Sequence, residues 1–198
     1  MPGRVVGNGT GTTSRILDVA ERLLQVRGYN GFSYGDVATE LGITRAALHY
    51  HFPGKGELGQ ALIERYAMRF GAALAELDAT APDAAAKLRG YVALYTGVLS
   101  ADRMCLCGML AAEHATLPDA LQQAVCDFFA ANTTWLRAVL EEGCADGSLR
   151  CPGPAEATAS MVLGTLEGAM LITRLDGNVT RFTATADQLL SGLLPPRA

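Results

Sequence analysis

The chain has 198 residues, 49% of them hydrophobic, with 22 glycines and 8 prolines; that is enough apolar side chain for one or two compact domains, and it excludes a disordered chain. No window holds 18 consecutive apolar residues and the opening MPGRVVGNGTGTTS has no apolar signal-peptide core, so no membrane span or export is expected and the cytoplasm is the expected compartment. The net charge of −4 divides unevenly, since residues 1–70 carry eight Lys and Arg against six Asp and Glu and residues 71–198 carry eight against fourteen, which suits one end to phosphate and keeps the other off it.

The first dozen residues read as an arm, with Arg4 free to touch DNA or to stay solvated. A first helix is expected from about Ser14 to Val26, with Ile16, Ala20, Leu23 and Leu24 on one face and Gly28 beyond its end. The stretch Phe32 to Leu58 then reads as two short helices around a tight turn. Ser33 is placed to cap the first, with Asp36 in the capping-box position and Phe32 and Val37 stapling across its first turn. Gly42 ends that helix, Thr44 caps the next, and Ile43 with Leu48 forms a second staple. Phe52-Pro53-Gly54 stops it. A two-turn helix showing Arg45, His49, Tyr50 and His51 is the geometry that lets side chains enter a DNA major groove; a helical hairpin in a structural bundle shares the same caps.

The run G-I-T-R-A-A-L-H-Y-H-F-x-G-K-G-E-L from Gly42 to Leu58, with Pro53 at the open position, resembles the DNA-binding signature of the tetracycline-repressor (TetR) family of bacterial regulators. The resemblance covers about Ser14 to Tyr66. It implies that Thr44 and Arg45 open a recognition helix, that Arg45 and Ala46 lie near base edges, that Thr44 and Tyr50 contact phosphate, and that Lys55 meets a phosphate from the start of the following helix. His49 stands where many members carry Tyr. Ser33, Thr44, Arg45, Ala46, His49, Tyr50, His51 and Lys55 are the candidate DNA-binding residues. Gly56 and Gly59 depart from the family's helix formers and are expected to loosen the first turns of the fourth helix, each costing about 1 kcal/mol relative to alanine.

That helix runs from Lys55 towards residue 78, with Leu58, Leu62, Ile63, Tyr66 and Phe70 in helical register, and ends before Pro82. The helix leaves no room for a flexible linker, and the resemblance implies that it connects an arm and helix-turn-helix domain (1–54) to a C-terminal ligand-binding and dimerisation domain (55–198). Every later segment has helical spacing, so the fold class is all-α: a helix from Ala84 to about Leu99 capped by Asp83, a short helix or turn over Cys105 to Ala115, a long helix from Pro118 to about Gly143, and a last pair at 154–175 and 180–194. Small residues in the first of that pair permit close helix approach, as in a buried helix; the resemblance implies instead that both helices pair with their copies in a homodimer on a palindromic double-stranded DNA operator.

The resemblance further implies a small-molecule effector, of a kind the sequence does not name, that enters the C-terminal helices and tilts the DNA-binding heads. Tyr91, Tyr95, Met104, Met109, Leu110, Phe128, Phe129, Trp135 and Met170 can line an apolar cavity or simply be core, with Glu113, His114 and Glu167 as polar groups that orient a ligand. The segment Met104 to Glu113, M-C-L-C-G-M-L-A-A-E, is similar to the G-C-L-x-G-x-x-A-x-E segment of one branch of the family, with Met104 at the Gly position; some regulators of that branch sense electrophiles or oxidants through a cysteine. Cys105, two residues from Arg103, is therefore an alternative sensor, and a small buried hydrophobe is the competing reading. The five cysteines are expected to be reduced thiols. No phosphate loop, H-E-x-x-H or G-x-S-x-G occurs, so no catalytic residue, metal or cofactor is expected. A ligand-released repressor is the leading expectation, and an activator is the less favoured one.

Overall fold

The computed structural model describes residues 9–195, and every regular element among them is helical. Arg4 lies outside the described residues. The order is α1 (Gly9–Arg27), α2 (Tyr34–Leu41), α3 (Arg45–His51), α4 (Lys55–Thr80), α5 (Ala84–Ser100), α6 (Leu106–Ala112), a 3-10 turn (His114–Thr116), α7 (Asp119–Asp146), α8 (Ala155–Asp176) and α9 (Val179–Leu193). The all-α expectation stands, with one shifted start: α1 begins five residues earlier than its apolar stripe suggests, and Thr13 on the added turn reaches His51.

Helices α1, α2 and α3 enclose a small core built from Ile16, Leu23, Phe32, Val37 and Leu48, all nearly or fully buried. The local signals act as written. Ser33 accepts from the Asp36 N–H while the Asp36 carboxylate accepts from the Ser33 N–H, a complete capping box. Gly42, in the left-handed region at φ 67°, lets the Ile43 N–H turn back onto the Ala38 carbonyl.

Helix α4 runs unbroken from Lys55 through both early glycines. A Cβ on Gly59 would come within 2.7 Å of the Leu121 side chain and 3.2 Å of the Tyr29 ring. The missing side chain is therefore what allows α4 to press against α7 and the end of α1, and packing outweighs propensity. On its other side α4 is tied to α1 by Arg65, whose guanidinium holds Asp18 and Glu21 at 2.7 Å each, and by Arg69, which also pairs with Glu21.

The remaining helices pack α7 against α4, α5 and α8, with α9 closing over α5 and α8. Cys144 and Cys151 are joined by a disulfide, contrary to the expectation of five free thiols. The chain reverses at Gly147, Leu149 docks against Gly143, and the two Cα atoms come to 5.8 Å, within bonding reach. Spacing alone does not reveal such a reversal. Cys105, Cys107 and Cys126 are free.

Candidate DNA interface and effector site

Helix α3 is held at both ends and open along its outer face. Thr44 accepts from the Ala47 N–H at 3.1 Å, and Leu48, completely buried, fixes the inner face. Thr44, Arg45, Ala46, His49 and Tyr50 are exposed, Tyr50 by 87%. The Tyr50 ring lies edge-on to His51, 5.4 Å between centroids, and is otherwise in water. The other candidates have intramolecular partners. The Ser33 hydroxyl donates to Asp36 at 2.6 Å, and those Ser33 bonds hold the Asp36 carboxyl below its usual range. The His49 ring tilts against Tyr34 and its Nδ1 lies 3.0 Å from the Pro53 carbonyl. His51 Nδ1 lies 3.0 Å from the Thr13 hydroxyl. Tyr34 donates to the carbonyls of Phe52 and Gly54, which fixes the α3–α4 turn, and burial pushes its phenol up to about 12. Lys55 departs furthest from expectation, because its ammonium donates to the Phe32 carbonyl at 2.5 Å and sits over the Tyr29 and Phe32 rings. Burial there lowers its pKa. A phosphate contact would need this lysine to swing outward.

The C-terminal helices grip the end of α1 directly. Glu113 accepts the backbone N–H groups of Tyr29 at 2.5 Å and Asn30 at 3.2 Å, and Asn30 donates to the Thr116 hydroxyl at 2.8 Å. This carboxylate lies against Gly28, whose φ of +84° and missing Cβ admit it. From α8, Arg174 donates to the Val26 carbonyl at 2.5 Å and lies 2.8 Å from the Met109 sulfur. Gln25 exchanges bonds with the Met104 backbone. Glu113, Met104 and Met109, expected among the residues lining an effector cavity, therefore belong to this clamp. His114 lies beside Cys126, at the edge of the 3-10 turn.

The rest of the expected effector set does converge. Phe70 on α4 is ringed edge-on by Tyr91, Tyr95 and Phe128 and stacked on Tyr66, with centroids 5.3–6.3 Å apart. Trp135 stacks on Tyr91 and donates its indole N–H to Asp78, so it lies half-buried at the margin. A polar chain threads these rings. Tyr91 donates to Asn132 at 3.1 Å, the Tyr91 and Tyr95 hydroxyls are 3.3 Å apart, Tyr95 donates to Glu167 at 3.2 Å, and Tyr66 donates to the Cys105 sulfur at 3.7 Å. Burial raises the Glu167 carboxyl above its usual range, and it has no basic partner among the described ion pairs. Met170 is fully buried on the same helix. Tyr66, Phe70 and Asn132 were missed as site residues; the i, i+4 aromatic pair on α4 was the available signal.

Cys105 does not have the setting of a reactive thiol. It is 2% exposed, accepts the Gly108 N–H, and burial, with Glu167 close by, pushes its pKa well up. Cys105 caps the start of α6, a position that lowers a thiol pKa, but burial and the neighbouring Glu167 outweigh it.

A groove of about 330 Å³ opens between α4 and α7, floored by Ile63, Phe70, Leu74 and Phe128 and reaching Asn132. Among the described residues no helix is long and apolar enough to cross a membrane.

Residues 16–62 match the family model described as bacterial regulatory proteins, tetR family, and residues 84–189 match that described as tetracyclin repressor-like, C-terminal domain. The HTH-type transcriptional regulator TtgR of Pseudomonas putida is 40% identical over 53 residues, 27% of this chain and 25% of that protein, so the match spans about a quarter of the length of such curated relatives. A TetR-family transcriptional regulator from Agrobacterium tumefaciens is similar throughout, with 34% identity, TM-score 0.91, and coverage of 94% of this chain and 99% of that one. A TetR transcriptional regulator from Legionella pneumophila matches with 31% identity, TM-score 0.82, and coverage of 94% and 97%.

Proposed function

The chain belongs to the TetR family of bacterial regulatory proteins, DNA-binding regulators of transcription rather than enzymes, and on that premise we propose that it is a homodimeric repressor released from a palindromic operator by a small molecule. The observation that carries the dimer is the outer face of α8. Met161, Leu171, Ile172 and Leu175 are large apolar side chains from 47% to 84% exposed, and Gly164 and Gly168 between them have open space where a Cβ would stand. Among the described residues no other helix carries more than one exposed large apolar side chain, and small residues there admit a partner helix closely. Two copies related by a two-fold axis present two α3 helices to half-sites roughly 34–36 Å apart.

In this reading Arg45 and Ala46 face base edges, Thr44 and Tyr50 meet phosphate, and Lys55 joins them after leaving Phe32. Ser33, His49 and His51 keep the α2–α3 unit in shape. The effector acts in the α4–α7 region around Phe70, Tyr91, Tyr95, Phe128 and Glu167. Because Glu113 and Arg174 bond to the end of α1, displacement of α6 or α8 is carried to the head as a tilt. Coupling of about 1–3 kcal/mol changes operator affinity 5- to 150-fold. A cysteine-based sensor at Cys105 has no support from its buried setting.

Light scattering of the wild type and of Leu171→Glu/Leu175→Glu tests the dimer: the wild type is expected at twice the chain mass and the variant at once, with weakened binding to DNA from the protein's own upstream region. A monomeric wild type that binds that DNA equally well would overturn it. Deleting the gene should raise transcription from the operator-bearing promoter; a fall would make the protein an activator.

A further inference from the structure

Arg45 opens α3, yet its side chain lies along α2. A Cβ built on Gly35 would come within 2.5 Å of the Arg45 Nη2 and 3.2 Å of both Cζ and Nε, so the guanidinium plane itself, not only its tip, covers the glycine. Backbone geometry does not ask for glycine here, because Gly35 is helical and is not one of the glycines with positive φ. In a helix of eight residues it is also a poor helix former. What the missing side chain admits is Arg45. The carboxylates that share these surroundings are already taken, Asp36 by Arg27 at 3.5 Å and Glu40 by Arg22. Arg45 is exposed and takes part in no described ion pair. Its plane is thus held against α2 while its donors stay free. A bidentate contact with a base edge needs that planar fork presented in one orientation, and a long side chain fixed beforehand loses less rotamer freedom on binding.

Resting on the reading that Arg45 faces base edges, we propose that Gly35 is a positioning residue that determines operator specificity: the absence of its side chain lets α2 hold the Arg45 guanidinium in the pose from which it reads a base. A methyl group on Gly35 would leave α2 intact and turn the guanidinium out of that pose, because the atoms it meets belong to the end of a flexible side chain that can swing aside. Specificity and stability therefore separate at this residue.

The test is a double-mutant cycle on the full chain. Wild type, Gly35→Ala, Arg45→Ala and the double variant are each titrated by anisotropy against the sequence that the wild type selects from a random pool and against shuffled DNA of the same length, with melting temperatures recorded. Gly97→Ala, at an exposed glycine of α5 where a Cβ meets nothing within 4 Å, controls for added helix propensity. Gly35→Ala is expected to cut the ratio of selected to shuffled affinity about tenfold, within the range that one bidentate base contact supplies. Its melting temperature should be no lower than that of the wild type, the ratio should not change further when Arg45→Ala is already present, and Gly97→Ala should leave the ratio alone. An unchanged ratio in Gly35→Ala, an equal fall in the Arg45→Ala background, or a lowered melting temperature with equal losses on both DNAs overturns the proposal. If Arg45→Ala weakens both DNAs alike, base reading itself fails and the proposal with it; a discriminating Arg45 beside a neutral Gly35→Ala defeats the proposal alone.

Discussion

The recognition unit and the aromatic cluster are built on opposite plans. Helix α3 has one completely buried large side chain, Leu48, and turns Thr44, Arg45, Ala46, His49 and Tyr50 to water; its shape comes from caps and a turn. The cluster around Phe70 buries Tyr66, Tyr91, Tyr95 and Phe128, and its polar groups satisfy one another through the Tyr91–Tyr95–Glu167 chain. A surface that reads a macromolecule keeps its donors unspent in solvent. In the cluster the groups are packed against each other, so that under the proposed function an entering effector must displace something, and that displacement would be the signal.

The contrast can be broken most forcefully in the cluster. Phe128→Ala removes a buried ring and is expected to lower unfolding free energy by about 3–5 kcal/mol, whereas Tyr50→Ala should stay within about 0.5 kcal/mol of wild type and weaken DNA binding instead. Chemical denaturation of both variants, with anisotropy on DNA, measures the difference; comparable stability losses would erase it. Next in size, Arg45→Ala should cost about 1–3 kcal/mol at the cognate operator with little change on random DNA, while Lys55→Ala should weaken both and flatten the salt dependence. Equal losses for Arg45→Ala on cognate and random sequences would make it a phosphate contact.

The clamp between the regions sharpens the comparison. Glu113→Gln keeps the size of the side chain but removes the charge that the Tyr29 and Asn30 N–H groups meet. A loss of about 1–3 kcal/mol is expected, with hydrogen exchange rising around residues 25–31 before it rises in α7 or α8. Uniform exchange throughout would show that the clamp does not hold the head. Thr44→Ala, which removes the α3 cap, should cost about 1 kcal/mol, seen as lower helicity and a lower melting temperature.

The smallest effect concerns pH. Burial raises the Glu167 pKa above its ordinary 4.5, so the folded protein binds that proton more tightly than the unfolded chain does. Its contribution to stability is present below the unfolded value and lost as pH rises through the folded one. Glu167→Gln has no such proton, so the gap in melting temperature between variant and wild type should widen in favour of the variant from about pH 4 to about pH 8. A constant gap would mean that the carboxyl titrates as it does in water.

How much of this was legible beforehand depends on how far apart the partners stand in the chain. The Ser33–Asp36 box, the Thr44 cap and the Gly42 stop each join groups within five residues, and a helix ladder imposes those meetings whatever surrounds them. The same locality makes the exposed face of α3 readable, because a two-turn helix with one anchored side has only one side left. Glu113 reads in the sequence as one of the few polar groups able to orient an effector; its carboxylate is instead fastened 84 residues away, at Tyr29. Gly59 looked like a weakness because its contact with Leu121 is made across two helices. The disulfide needed the reversal at Gly147, and the groove beside Phe70 needed α4 and α7 laid side by side. Local hydrogen bonding and steric preference, set by the sequence itself, determined the helices, their ends and the all-α class. Long-range packing decided which of many apolar and acidic side chains became neighbours, because sequence periodicity fixes the face a residue occupies but not the surface that face will meet.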